Sequence, residues 1–396
     1  MHHDDEVRKA MARPTIAEID LDALRFNLNQ LRGMTDGKAD ILAVVKANAY
    51  GHGAVEVAKE LENAGASIFG IATTEEGIEL RRSGLSSPIL VLAGTYPDEF
   101  EKVIENRLSP VVFDLEIARA IDARGKKSGQ QIPVHLKVDT GMNRLGIPWR
   151  EWESALKVLQ SLRNLQVEGL MSHFSVADSE RPDDQAFTEE QRQRFQTCLD
   201  SARTMGMQPR YIHLANSAAT ALREPARFNL VRPGLMLYGL HPAPALRSRV
   251  SLRPVLRWKT AILSLKHVAA GDPVSYGRTY CSRKESLIAI LPVGYADGYN
   301  RRLSNRGEVL VRGRRAKIAG IICMDLSMVD VSEISGVQAG DEVVLLGKQG
   351  TEEINAAEMA GWIESIPYEV LCAIGKRVPR VYHSTARPQP KETISC

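Results

Sequence analysis

Short runs of apolar, often β-branched residues recur along the first part of the chain, at 41–45, 68–72, 89–92, 111–113, 134–138, 165–171, 211–214 and 228–231. Between most of them lie stretches whose apolar positions repeat at helical spacing, such as 55–63, 74–82, 152–162 and 189–205. A strand buried on both faces carries a near-continuous apolar run, and strands alternating with helices build a parallel sheet. Eight such units within about 230 residues predict an α/β fold, a closed (β/α)8 TIM barrel, over residues 12–245. From about residue 250 the texture changes to strand-like runs at 256–267, 287–294, 308–311, 317–323 and 342–346, separated by Gly and Asp turns. These predict a second, C-terminal mainly-β domain over 250–385, with a short helix near 354–363 and a linker at 245–253. Flexible tails are expected at 1–11 and 386–396.

Composition narrows the partners. The chain of 396 residues has a formal net charge of only +3, and no stretch concentrates Lys and Arg with aromatics as nucleic-acid surfaces do. Small molecules are the expected ligands. Residues 1–14 are polar and resemble neither a secretory signal nor a membrane anchor, and no apolar run reaches membrane-spanning length, so a cytoplasmic protein is expected. Cys198, Cys281, Cys323, Cys372 and Cys396 lack paired spacing, which predicts reduced thiols with neither zinc site nor disulfide framework; no metal is expected.

Polar residues then gather where a barrel performs chemistry. The run 41–45 leads straight into Lys46, followed by Tyr50 in a glycine-rich loop. An amine fixed at a strand end can capture an aldehyde, and the loop and helix beyond can hold a phosphate. In His135-Leu-Lys137-Val-Asp139 the period of two puts three ionisable groups on one face. With Leu136 and Val138 under the helices, that face points into the barrel and forms the floor of a polar site. The turn 140–146, bracketed by Gly141 and Gly146, lifts Arg144 over the barrel mouth. Other strands end at His173, at Asn216-Ser217 and at Arg232-Pro-Gly234, the C-terminal positions from which barrel enzymes draw active residues. Singly, each has an ordinary explanation: a solvated lysine, a satisfied core histidine, a helix cap. Seven at equivalent places form a pattern. Ser217 with the backbone at Gly234 and Leu235 also reads as a phosphate cradle.

Ala43-Val-Val-Lys46-Ala-Asn48-Ala-Tyr50-Gly51-His52-Gly53 closely resembles the pyridoxal-phosphate (PLP) lysine motif of the alanine racemases. The resemblance extends to Lys137-Val-Asp139-Thr-Gly141-Met-Asn143-Arg144-Leu-Gly146, Val231-Arg232-Pro-Gly234, Val274-Ser-Tyr276-Gly277, Gly294-Tyr295-Ala-Asp297-Gly298, Cys323-Met324-Asp325 and Pro367-Tyr368-Glu369, covering residues 12 to 382. It implies a homodimer of barrel-plus-β-domain subunits, a small amino-acid substrate, and conversion of L-alanine to D-alanine for peptidoglycan.

Residue by residue, the resemblance implies that Lys46 carries PLP and handles the D-face proton. Tyr276, from the partner subunit, serves the opposite face. A free tyrosine has a pKa of roughly 10, so its phenolate needs support; the family supplies it through His173, itself linked to Arg232. Arg232 would face the pyridine nitrogen and, unable to give up its proton, leave that nitrogen unprotonated. Tyr50, Ser217, Tyr368 and the amides near Gly234 and Leu235 would hold the phosphate, with Asn216 beside them. Arg144 and Met324 would bind substrate, Lys137 matches an often carbamylated lysine, and Tyr295, Asp178 and Arg301 match an access corridor. Ile321 departs from the arginine some relatives place there. A racemase of serine or another small amino acid, or a fold-related decarboxylase, are the alternatives. The decarboxylase would carry a glutamate at the Arg232 position and a catalytic cysteine, for which Cys323 is the candidate. A non-enzymatic PLP carrier would lack the β domain.

Overall fold

A computed structural model describes residues 13–385; the two tails expected to be flexible lie outside the described residues. The described residues divide into two compact units, one of residues 23–49 and 53–253, the other of residues 13–22, 50–52 and 254–385.

In the first unit, parallel strands neighbour one another in the order Leu230–Val231, Asp40–Val44, Ile68–Ile71, Ile89–Val91, Leu108–Val112, Ile132–Asp139, Leu165–Met171 and Tyr211–His213. The eight apolar runs each supply one strand, in chain order around the sheet. Between the last strand and the first, a bridge between Asn216 and Arg232 and a 2.9 Å bond from the Arg232 amide to the Ala215 carbonyl nearly close the barrel. Leu42, Phe69, Val111, Leu136 and Leu170 are fully buried, which is why these strands read as unbroken apolar runs. Helices begin where side chains can accept their free amides. Thr73 and Glu76 form a capping box on Thr74–Arg82, and Asp114 caps Leu115–Ser128. The helix expected at 189–205 starts earlier, at Pro182, because a proline at its first turn needs no donor.

The second unit is built on a ten-stranded, mostly antiparallel sheet. Ile16–Asp20 belongs here rather than in the barrel region drawn from residue 12. It pairs antiparallel with Leu256–Ala261 and parallel with Arg380–His383. Its pairing is fixed by a part-buried ion cluster: Lys259 reaches Glu18 at 2.5 Å and Glu342 at 3.0 Å, and Arg257 reaches Glu18 at 2.8 Å. Burial alone would raise the Glu342 pKa, but the hydrogen bonds from Arg257 and Lys259 hold it at about 2. The single run expected at 256–267 divides into Leu256–Ala261 and Ser264–Val268, which pair with different neighbours. Ser327–Asp330, absent from the sequence reading, fills the place between Ser286–Leu291 and Arg314–Ile318. The expected helix is Ala356–Ile363, and a second, Pro367–Cys372, follows it.

Candidate active site

The barrel strand Asp40–Val44 delivers Lys46, half-buried, and the backbone then does something unusual. Ala47, Asn48, Ala49 and Tyr50 all have φ between 52° and 54°, one turn of left-handed helix made without glycine. L-residues pay roughly 1–2 kcal/mol each for that hand, so the turn persists only where its surroundings over-determine it. The Glu76 carboxylate accepts from the Ala47 amide at 2.6 Å and from the Ala72 amide at 2.7 Å. Asn48 Oδ1 accepts from the Ala54 amide at 2.8 Å, where the helix Ala54–Asn63 begins. Lys46 therefore stands on a braced pivot.

The row predicted to point inward does so. His135 and Lys137 are buried and Asp139 is half-buried. Asp139 is spent on the loop beyond it: its Oδ1 accepts from the Gly141 amide at 2.8 Å and the Asn143 amide at 3.1 Å. Arg194 donates to the Thr140 carbonyl at 2.9 Å from outside, and its guanidinium lies over the Trp149 and Phe187 rings. This clamp presents Arg144, which is exposed. Among the described residues no carboxylate comes within ion-pair distance of Lys137. Burial, then the positive charges of Arg232 and Arg144, pull its pKa down to about 8, against a smaller upward pull from Asp139.

Arg232, 4% exposed, is the hub. Its Nη1 donates to His213 Nδ1 at 3.1 Å; its Nη2 donates to the Ser172 carbonyl at 2.7 Å and to His173 Nδ1 and the Leu214 carbonyl at 3.1 Å each. Every partner is a neutral acceptor, and among the described residues its Nε–H has none. Burial lowers the guanidinium pKa to about 9, so it stays charged at neutral pH. Burial and then the positive charges of Arg232, Arg144, Lys137 and Lys46 hold His173 neutral. Because Arg232 can only donate, the neutral His173 carries its hydrogen on Nε2. Gln191, fully buried, ties the His173 carbonyl (3.2 Å) to the same helix that carries Arg194. His213, Gln191 and Glu76 were not singled out from sequence. His213 sits inside an apolar run, and its partner is visible only once two distant strands are neighbours.

Ser217 Oγ accepts from the Gly234 amide at 3.0 Å and the Met236 amide at 3.5 Å, so the hydroxyl and the start of the turn Leu235–Tyr238 are together as expected. Asn216 is an N-cap, its side chain accepting from the Ala219 amide. In the second unit Tyr50, which clusters there, packs against Tyr368 with ring centroids 5.9 Å apart. Tyr276 is 72% exposed on a loop in which Ser275, Gly277 and Arg278 all have positive φ. Ser275 Oγ pins this loop by donating to the Ile321 carbonyl at 2.6 Å. Met324, Tyr295 and Arg301 are exposed on this unit, and Asp178 is exposed on the barrel. Cys323 Sγ is turned to the Ile321 carbonyl and Ser275.

A family model described as the alanine racemase N-terminal domain matches residues 19–242, and one for the alanine racemase C-terminal domain matches 255–382. The chain belongs to the alanine racemase family. It is 46% identical over 372 residues to an alanine racemase of Geobacter sulfurreducens, covering 94% of this chain and 97% of that one. It is also 46% identical over 376 residues to one of Halothermothrix orenii, covering 95% and 98%. The solved alanine racemase of Clostridium difficile 630 superposes with a TM-score of 0.89 at 38% identity, covering 94% and 96%. That of Bacillus anthracis, solved with bound L-Ala-P, does so with a TM-score of 0.89 at 36% identity, covering 95% and 97%. The protein is thus an enzyme, an isomerase of the racemase type. The positive charges of Arg232, Arg144, Lys137 and Lys46 all act on the neutral His173. Among the described residues no group of His, Cys, Asp and Glu could hold a metal ion, and no helix is long and apolar enough to cross a membrane.

Proposed function

We propose that this protein is a PLP-dependent alanine racemase, a cytosolic homodimer with shared sites that interconverts L- and D-alanine by two bases and supplies D-alanine for peptidoglycan. One observation carries the reading: the buried Arg232 guanidinium, bonded only to neutral acceptors, has an Nε–H without a partner among the described residues and so open to a ligand atom that can only accept. A pyridine nitrogen fits that donor, and a protonated pyridinium does not. Ser217 with the backbone at Gly234 and Leu235 would supply neutral donors suited to the phosphate, and the resemblance to the family adds Tyr50 and Tyr368 to that role. When bound, PLP acts as an electron sink that acidifies the substrate Cα–H.

The chain's own groups do the rest. Lys46 Nζ would hold the cofactor through its carbonyl and would exchange the proton on one face of the substrate Cα. The Tyr276 hydroxyl of the partner subunit would exchange it on the other, its phenolate supported by a hydrogen from His173 Nε2. Arg144, with the Met324 backbone of the partner, orients the substrate carboxylate. Arg232, which can only donate, would hold the ring nitrogen unprotonated and so keep the cofactor a weaker electron sink, which favours return of the proton to Cα. A decarboxylase would need an acid at that position, so Arg232 speaks against it.

Borohydride reduction of the yellow protein followed by peptide mapping should place the pyridoxyl group on Lys46. Incubation with L-alanine, L-serine and other L-amino acids, followed by chiral separation, should give D-alanine first. A label elsewhere, or a colourless protein after saturation with PLP, would overturn the reading.

Carbamylation of Lys137 belongs to the same proposal. With a pKa of about 8, part of its amine is neutral at pH 7.5 and can attack CO2, forming an N–C bond as a proton leaves to solvent. The resulting anion suits a position crowded by Arg232 and Arg144. Protein equilibrated with 13C-bicarbonate should give one carbamate resonance, growing as pH rises through 8 at constant dissolved CO2 and absent in Lys137→Ala. No resonance at any pH would leave the plain amine.

A further inference from the structure

His135 belongs to the inward polar row, yet no step above uses it. Its Nδ1 lies 2.8 Å from His213 Nε2, and the two rings meet edge to face with centroids 4.9 Å apart. Proton positions along this contact follow from its far end. Arg232 can only donate, so His213 Nδ1, 3.1 Å from Nη1, must accept. A neutral His213 then carries its hydrogen on Nε2 and donates it to His135 Nδ1, and His135 in turn is protonated on Nε2. The direction Arg232 to His213 to His135 is therefore fixed without a carboxylate.

The fold makes room for this contact. Pairing between Ile132–Asp139 and Leu165–Met171 runs Val134 to Val167 and then His135 to Gly169, so Glu168 is skipped in a bulge that re-aims the strand. A Cβ on Gly169 would come within 2.2 Å of His135 Nδ1. Tyr211 stacks on the other side of the ring, with centroids 5.8 Å apart. His135 and His213 are 2% and 0% exposed. The charged or titratable groups that face the pair are Arg232, Tyr211 and, next inward on the same strand, Lys137. Burial and then the Arg232 charge disfavour protonating either ring, and His135 is lowered to about 3.

We infer that His135 is a positioning residue for the racemase reaction: by accepting from His213 it locks the tautomer whose Nδ1 lone pair aims the Arg232 guanidinium. This rests on the assignment of Arg232 to the cofactor ring. Without the acceptor, the His213 Nε2–H is buried with nothing to bond. Moving the hydrogen to Nδ1 would then set donor against donor at Arg232 and release its aim.

The test compares wild type with His135→Phe, which removes the acceptor, His135→Asn, which returns an oxygen near the Nδ1 position, and Gly169→Ala, which displaces the ring. Nitrogen-15 histidine NMR of holo and cofactor-free protein reads the His213 tautomer directly. Kinetics read kcat, KM, their pH profile, and keto acid formed per racemisation. Wild-type His213 should be a single Nε2–H tautomer that does not titrate between pH 5 and 9. In His135→Phe the Nδ1–H form should appear and kcat fall about tenfold, the rate equivalent of one buried hydrogen bond left unmade, with KM little changed. The keto acid ratio should rise, while His213, still buried beside Arg232, should stay neutral in the variant. His135→Asn should recover these values and Gly169→Ala should reproduce the loss. An unchanged His213 tautomer and keto acid ratio in His135→Phe would overturn the inference. If that variant does not fold, the same result in Gly169→Ala overturns it. A wild-type protein that shows the tautomer but does not racemise alanine would defeat the functional assignment instead.

Discussion

Replacing Arg232 with glutamate is expected to cut racemisation by about 10²–10³-fold, the usual loss when a preorganised electrostatic contact to the reacting system is reversed, and to raise keto acid formed per turnover. On the proposed assignment the native guanidinium would face the ring nitrogen and, able neither to take up a proton nor to give one up, would leave it unprotonated. A carboxyl group there would share a proton with that nitrogen and strengthen the electron sink. The carbanion would live longer, and more of it would be protonated away from Cα, the first step toward transamination. The surroundings sharpen the expectation. The Ser172 and Leu214 carbonyls, each bonded to Nη2, would face an acceptor in place of a donor and favour a protonated glutamate. Chiral separation of alanine alongside enzymatic pyruvate detection measures both effects. A variant with slower racemisation but an unchanged keto acid ratio would show that Arg232 supports structure and does not govern where the proton returns.

Tyr276→Phe should lower exchange of the Cα proton from L-alanine by about 10²–10⁴-fold, the range for losing a general acid–base, while exchange from D-alanine by way of Lys46 is less affected. Deuterium incorporation in D2O from each enantiomer measures this; equal, mild losses from both would remove Tyr276 from the chemistry. The hydroxyl belongs to a 72% exposed side chain, a poor setting for a base unless another surface covers it. Co-expressing Lys46→Ala with Tyr276→Phe tests the covering partner. If each site takes its lysine from one subunit and its tyrosine from the other, a mixed dimer has one site with both residues native, and activity returns. If both come from one subunit, every site keeps a lesion and the mixture stays dead.

The barrel was legible because its strands are buried on both faces, so each wrote itself as an apolar run bounded by turns. The β unit was harder to read. Ser327–Asp330 is four residues long and ends in an aspartate that accepts from Tyr280 at 2.8 Å, so nothing in its composition marks a central strand. Ile16–Asp20 was counted with the barrel by proximity in sequence, whereas Lys259 and Arg257 draw its Glu18 to the other sheet. Of the site, Lys46, Arg144, His173 and Arg232 could be found from strand ends. His213 could not, since a histidine inside an apolar run declares itself only when Arg232 and His135 close on its two nitrogens. Asp139 shares the ionisable row with Lys137, but main-chain amides two and four residues on claim its carboxylate. The turn after Lys46 was illegible for another reason. Nothing in Ala-Asn-Ala signals a left-handed turn, and its braces, the distant Glu76 carboxylate and the Asn48 side chain reaching Ala54, show only in the fold.

That reversed turn bears on how the amine works. With four consecutive residues wound against their natural sense and braced from both ends, the peptide chain beneath Lys46 has little slack. Whatever travel the ammonium group needs, letting go of an aldehyde carbon, reaching a hydrogen and swinging home, must come from rotation about its own methylene stem. If Lys46 carries the cofactor, its reach is that of one flexible stem on a bolted base.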